Sequence, residues 1–204
     1  MSDAEQAGAN KRAVWRASWD DRHAASAPGA AEPSVIEMIP LMPRGWALDI
    51  AAGTGRNSLA LARAGISVAA VDFSPVAMRA LRETASASRL PVSLVILPVI
   101  ADLETALPFP DAVFDVILNV NYLDRGLVPR LCEILKVGGV LLFDTFLIDQ
   151  AASGHPRDPR FMLEHYELRG LLAGMELIRY REGIVAYPGG KTAWRATALA
   201  RRTS

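Results

Sequence analysis

Three acids and two glycines are spaced in this chain as a small-molecule site would need them. Asp49 lies at the end of a short apolar run, the turn Ala51-Ala52-Gly53-Thr54-Gly55 follows, and a polar-started segment from Asn57 to Ala64 reads as a helix. Glycines at 53 and 55 permit positive φ and carry no Cβ, so backbone can lie against a ligand where helix N–H groups point outward. Asp72 ends the next apolar run, and Asp102-Leu103 follows the third. A carboxylate offers two acceptor oxygens and no donor, which suits hydroxyl pairs and amino groups. Taken singly, each acid reads equally well as a solvated turn residue or a helix cap. Three of them at successive strand ends, beside the glycines, favour a site.

A second group of candidates lies further on. Gly154-His155-Pro156-Arg157-Asp158-Pro159-Arg160 gathers an imidazole and two guanidiniums in one loop. Arginine forks bind oxyanions, and histidine relays protons near neutral pH, so His155, Arg157 and Arg160 are candidates for a lid over an anionic acceptor. The plainer reading is a solvated connector. In an open α/β sheet the ligand crevice lies beyond the carboxyl ends of the strands. Asn119, Asn121, Tyr122 and Arg125 after the fourth strand, and Asp144-Thr145 after the fifth, should face it, although Tyr122 reads equally well as a core aromatic. Arg22 and His23 either reach the same cavity or lie at the surface. Cys132 shares an apolar stripe with Leu131, Ile134 and Leu135 and reads as a packing thiol. No histidine or cysteine spacing fits a metal.

The elements that must position these groups follow from length and patterning. A chain of 204 residues, 51% hydrophobic, supports one sizeable core, and we expect a tail over 1–12 followed by a single domain over 13–204. Basic and acidic side chains number 22 each, so no net field draws the protein to nucleic acid or anionic lipid. One cysteine, no charged-then-apolar leader and no apolar run long enough to span a bilayer imply a soluble, cytoplasmic protein, monomeric or homodimeric. Trp15 and Trp19 share a helical face, and with a helix over Val35 to Leu41 they form an N-terminal helical cover over 13–43.

Strands are expected at Ala47–Ile50, Ile66–Val71, Val92–Ile96, Val113–Val120 and Val140–Phe143. Helices alternate with them. Ser74-Pro75 opens one running to Ala87, and Leu127 to Leu135 carries another, closed by Gly138-Gly139. Alternation of this kind implies a parallel sheet covered on both faces. A further helix is expected over Phe161–Ala173. Glu176–Ala186 and Ala193–Arg201, separated by Tyr187-Pro188-Gly189-Gly190, read as a terminal antiparallel hairpin.

Asp49-x-x-x-Gly53-x-Gly55, Asp72, Asp102-Leu103 and the run Leu107-Pro108-Phe109-Pro110-Asp111-x-x-Phe114-Asp115-Val116-Ile117 resemble class I S-adenosylmethionine-dependent methyltransferases. Gly55-Arg56-Asn57-Ser58-Leu59 with Tyr122-Leu123-x-Arg125-x-x-x-Pro129 is most similar to the tellurite-resistance-type (TehB-like) members. The resemblance implies an α/β, three-layer Rossmann-like fold with a mostly parallel sheet of about seven strands ending in an antiparallel hairpin. It implies S-adenosyl-L-methionine as cofactor, with Asp72 on the ribose hydroxyls, Asp102 on the adenine amino group, the Leu103 N–H on a ring nitrogen, and Asp49 acting through the loop. Ala51, Gly53, Gly55, Arg56, Asn57, Phe73 and Asn119 would line the same ligand. Ala51 stands where that family often has its first glycine. The implied acceptor is a small molecule, a thiol or a selenium or tellurium species among the candidates.

Two other readings compete. Gly53-x-Gly55-x-x-Ser58 with Asp72 approximates a nicotinamide dinucleotide fingerprint, but Ser58 replaces the third glycine and the Asp102-Leu103 step is left unexplained. A non-catalytic S-adenosylmethionine-binding protein would carry the same cofactor residues.

Overall fold

The computed structural model describes residues 17, 20–21, 29–88, 90, 96–100 and 107–204. Expectations for residues 1–12, Trp15, Trp19, Arg22, His23, Asp102 and Leu103 therefore lie outside the described residues, as does most of the expected strand Val92–Ile96.

Pro33 occupies the first turn of α1 (Pro33–Met38), where its missing N–H costs nothing, and a 3₁₀ turn at Ile39–Leu41 ends the element. β1 (Trp46–Ile50), α2 (Arg56–Arg63), β2 (Ser67–Asp72) and α3 (Pro75–Ala87) follow. The Ser74 hydroxyl caps α3 by accepting the Ala77 N–H at 3.1 Å, as Ser-Pro implies. β3 (Ile96–Ile100) carries Pro98 inside it. That is tolerable because β3 is an edge strand. β4 (Phe114–Val120), α4 (Val128–Ile134) and β5 (Leu135–Phe146) come next, with Gly138 and Gly139 inside β5 rather than closing the helix before it. The chain ends with α5 (Gln150–Ser153), α6 (Glu167–Leu171), β6 (Glu176–Ala186) and β7 (Thr192–Arg201).

Among the described residues seven strands form one sheet in the order β3-β2-β1-β4-β5-β7-β6. The first five are parallel, and β7 runs antiparallel to both β5 and β6, which gives the expected mostly parallel sheet with its terminal hairpin. A purely parallel 3-2-1-4-5-6 dinucleotide-binding sheet has no such inserted strand. Apolar side chains fill both faces: Leu48, Ile50, Ile117, Leu141 and Phe143 on one, Ala47, Leu118, Val140 and Leu142 on the other.

The expected helix over Phe161–Ala173 is corrected. The segment holds a 3₁₀ turn at Pro159–Phe161 and only the short α6. Leu163 instead runs beside the extension of β5: its N–H donates to the Phe146 carbonyl and its carbonyl accepts from Ile148, both at 2.9 Å. Backbone groups committed to strand-like pairing cannot also close helical turns. Apolar spacing alone does not reveal that competition.

Candidate functional site

The loop between β1 and α2 turns through left-handed backbone at Ala51 (φ 50°), Gly53 (φ 54°) and Gly55 (φ 82°). Gly55 is required twice over, because a Cβ there would also collide with the Leu81 side chain of α3. Ala51 takes a conformation that L-residues adopt at a cost of about 1–2 kcal/mol. The alanine in place of glycine thus adds strain to the loop.

Two carboxylates flank the loop. Asp49, 1% exposed on β1, accepts the Ser58 hydroxyl at 2.6 Å. Burial pushes its carboxyl up from 3.8 to about 7, against the pull of the Ser58 hydrogen bonds and Arg56, and nearby Asp72 pushes the same way as burial. Asp72 closes β2 and accepts the N–H groups of Gly53 and Ser74, one on each oxygen, both at 2.9 Å. It thereby knots the loop after β1 to the loop after β2. Each oxygen keeps a second lone pair for an incoming hydroxyl. Phe73 is half-buried beside it. Asn119, the last residue but one of β4, is in register with Ile50 of β1, and its Oδ1 is buried without a hydrogen-bond partner among the described residues while its Nδ2 donates to the Tyr122 carbonyl at 3.1 Å.

Arg56 and Asn57 turn toward the N-terminal segment. The Arg56 guanidinium pairs with Glu32 at 2.7 Å, and Asn57 Oδ1 accepts the Glu32 N–H at 3.0 Å. Glu32 is 3% exposed, and its other oxygen accepts the Tyr187 hydroxyl from the β6–β7 turn.

Of the residues expected near an acceptor, Arg125 is engaged by Glu167, with Nη2 at 3.0 Å from the carboxylate and at 3.0 Å from the Met162 carbonyl. Arg160 is paired with Asp158 of its own loop at 2.6 Å. His155 and Arg157 are exposed, and Tyr122 lies half-buried against the apolar cluster. The structure thus gathers Asp49, the glycine loop, Asp72 and Asn119 at one edge of the sheet. The basic loop it leaves at the surface.

Several polar residues at this edge carry no sequence motif. Arg195 of β7, 1% exposed, pairs with Asp144 at 2.7 Å, donates to Asn121 Oδ1 at 2.6 Å and stacks over Phe146 at 4.3 Å. Ser34 Oγ donates to the other Asp144 oxygen. Burial raises the Asp144 carboxyl and Arg195 opposes that rise. A charge inside the apolar run Ala193–Ala200 is the one signal that points to such a buried partner. His165 lies between Asp149 at 2.8 Å and Glu182 at 3.2 Å, and the Glu182 bond foremost raises its pKa.

Residues 47–139 match a family model described as a methyltransferase domain. A demethylmenaquinone methyltransferase of Thermobifida fusca (strain YX) is 39% identical over 106 residues, 48% of this chain and 42% of that protein, so the match spans less than half of that relative. TehB from Haemophilus influenzae superimposes with a TM-score of 0.70 at 22% identity over 84% of this chain and 62% of that one. An S-adenosylmethionine-dependent methyltransferase from Methanosarcina mazei does so with a TM-score of 0.67 at 20% identity over 85% and 99%. At these identities the structural likeness is one of fold. Residues 47–139 thus match a methyltransferase domain, and the chain shares the fold of these methyltransferases, a mostly parallel sheet with its antiparallel terminal hairpin.

Proposed function

We propose that this protein transfers the methyl group of S-adenosyl-L-methionine to a small-molecule acceptor. The observation that carries the reading is the meeting, at the carboxyl ends of β1, β2 and β4, of a left-handed glycine loop, two buried carboxylates and an orphaned Asn119 Oδ1. Those groups fit the cofactor. An acceptor without a partner suits an ammonium, which has only donors, and the spare lone pairs of Asp72 suit ribose hydroxyls. Asp102 and Leu103 complete the proposed set on the adenine. When bound, the cofactor supplies a methyl already activated on a sulfonium, so the chain's own residues contribute alignment, exclusion of water and, where the acceptor is protonated, a base.

A thiol, or a selenium or tellurium species, needs little help from a base, whereas a hydroxyl or amine needs more. The Thermobifida relative's name adds a demethylmenaquinone to the acceptors worth trying. Tyr122, Arg125, His155, Arg157 and Arg160 remain the proposed acceptor-side residues. Arg157 is the proposed acceptor-side guanidinium with least competition, since Arg160 must first leave Asp158 and Arg125 must leave Glu167. Zero net charge favours small acceptors over nucleic acid, and the protein would act as a monomer or homodimer.

Calorimetry with S-adenosylmethionine tests the cofactor assignment. Asp72→Ala should weaken binding by about one to two decades, the roughly 1.5–3 kcal/mol of hydrogen bonds to a charged group. Undiminished binding in that variant rejects the role of Asp72, and wild type that takes a nicotinamide dinucleotide instead rejects the whole reading. Turnover against a panel of thiols, oxyanions and quinols then separates an enzyme from a silent binder.

A further inference from the structure

Two asparagines at the end of β4 present opposite halves of their amides. Asn119 has its Nδ2 committed to the Tyr122 carbonyl at 3.1 Å, and its buried Oδ1 meets no donor among the described residues. Asn121, exposed just beyond the strand, has its Oδ1 committed instead: Arg195 Nη1 donates to it at 2.6 Å. A guanidinium only donates, so the atom facing it is the amide oxygen, and Nδ2 is turned away from Arg195. Among the described residues no hydrogen bond uses that Nδ2. The lock behind it is built from buried groups. Arg195, 1% exposed, donates from Nε to Asp144 at 2.8 Å and lies over Phe146, while Ser34 holds the other Asp144 oxygen. The Asn121 N–H donates to the Asp144 carbonyl at 2.9 Å, and its backbone sits at φ 60°, a left-handed conformation that asparagine tolerates. Side chain and backbone are thus both fixed at the carboxyl end of β4. The strand order reverses between β1 and β4, and there open α/β sheets bind ligands.

Resting on the methyl-transfer reading above, we propose that Asn121 sets acceptor specificity: its Nδ2, aimed by Arg195 as a positioning residue, receives an anionic sulfur or oxygen of the acceptor and disfavours amines. An ionised acceptor has several lone pairs, so one takes an N–H of Asn121 while another attacks the methyl. The methyl's bond to the sulfonium breaks toward sulfur, one negative and one positive charge are consumed together, and no proton has to move. An ammonium carries only donors and would meet the Asn121 N–H groups head on, which is discrimination by an unfavourable contact. Bonding of Oδ1 to a guanidinium polarises the amide and strengthens the opposite N–H groups as donors. The end of β4 then offers a bare oxygen, on Asn119, to a cationic ligand and a bare donor, on Asn121, to an anionic one.

Methyl transfer from saturating S-adenosylmethionine to thiophenol and to benzylamine, with S-adenosylhomocysteine affinity measured by calorimetry on the full chain, tests this. Wild type should favour thiophenol. Asn121→Asp keeps an oxygen for Arg195, tolerates the same backbone and sets a carboxylate oxygen where Nδ2 stood. Its kcat/KM for thiophenol should fall by about 10²-fold or more, that for benzylamine should hold or rise, and S-adenosylhomocysteine affinity should stay within about threefold. Arg195→Lys keeps a cation beside Asp144 but loses the fork that also reaches Asn121. It should lower kcat/KM for thiophenol by about three- to tenfold, and by nothing further once Asn121 has been replaced by Asp. No fall in Asn121→Asp, or a fall shared equally by both acceptors, overturns the inference. So does a wild type that binds S-adenosylmethionine but methylates benzylamine alone or neither probe. An Arg195→Lys effect that persists in full beside Asn121→Asp overturns the positioning role. Wild type that binds neither adenosyl ligand overturns the cofactor assignment first, and this inference with it.

Discussion

Asp49→Asn should make the protein more stable at neutral pH and worse at binding its cofactor, and the size of the first effect follows from the environment of Asp49. Its carboxyl is lifted by burial from 3.8 to about 7. That is about three pH units, each worth about 1.4 kcal/mol, so the ionised folded state carries roughly 4 kcal/mol of cost. The folded-state value lies above the unfolded one. The bound proton therefore stabilises the fold fully below about pH 4, and that stability is lost as pH rises through about 7. The amide variant does not titrate. Its Oδ1 can still accept the Ser58 hydroxyl, now 2.6 Å from the Asp49 carboxylate, so the packing survives.

Urea unfolding of both proteins from pH 4 to pH 9 reads the difference directly. The two curves should run together near pH 4 and separate progressively to pH 8, with the variant ahead by about 2–4 kcal/mol, or roughly 5–10 °C in Tm for a chain of this size. Other acids, Asp144 among them, titrate in both proteins and cancel in the difference. S-adenosylmethionine affinity should fall by about tenfold or more, since a cationic ligand loses its nearby anion. A wild-type curve parallel to the variant's across the whole range would refute the reasoning, because burial would then not be holding the proton.

Four further outcomes are expected. Ala51→Gly should raise the urea midpoint by the equivalent of about 0.5–1 kcal/mol, since φ 50° suits glycine, and a lowered midpoint would mean the alanine methyl packs better than its strain costs. Arg195→Leu should destabilise by about 3–5 kcal/mol by leaving Asp144 buried and unpaired, and adding Asp144→Asn should recover much of the loss in equilibrium unfolding. By NMR titration His165 should hold its proton above the ordinary histidine range. The clamp between Asp149 and Glu182 is then present at low pH and lost as pH rises through that raised value, and Glu182→Gln should lower the value. With an anionic acceptor, Arg157→Ala should reduce kcat/KM more than Arg160→Ala does, because only Arg160 is already engaged by a carboxylate. Equal turnover by both variants and wild type would make the loop a solvated connector.

Where one local cause decides the outcome, the chain is legible in advance. Ser74-Pro75 opens α3 because cap and proline act within one turn, and Tyr187-Pro188-Gly189-Gly190 folds the hairpin because a turn needs only its own residues. Asp49, Gly53, Gly55 and Asp72 can be read together because the spacing of strand, loop and helix brings them to one sheet edge. Glu32 and Arg195 cannot be read this way, and of Asp144 only the position after the fifth strand is legible, not its buried partner. Glu32 precedes Pro33 like any exposed acid at a helix start, and its partners Arg56 and Tyr187 lie 24 and 155 residues away. Phe161–Ala173 misleads for the same reason: its apolar spacing suits a helix, while Leu163 is claimed by backbone groups of Phe146 and Ile148.

The crevice edge of the sheet collects what folding alone would avoid. Ala51 after β1 and Asn121 after β4 hold left-handed backbone, and among the described residues Asp49 is buried without a cation in direct contact and Asn119 Oδ1 faces no donor. Each costs of order 1–4 kcal/mol, and together they compare with the whole stability of a typical domain. Such a set persists only if the surrounding structure holds it in place, and the polar pairs around the edge do that. Asp72 ties two loops, Arg195 fixes Asn121 and Asp144, and Glu32 joins α2 to the hairpin turn. A donor-rich, positively charged ligand would relieve the strain at Asn119 and Asp49 at once, since each lacks what such a ligand carries. Unpaired acceptors held rigidly in advance do not have to be reorganised when the ligand arrives, so the stability given up in the free protein returns as affinity and alignment in the complex.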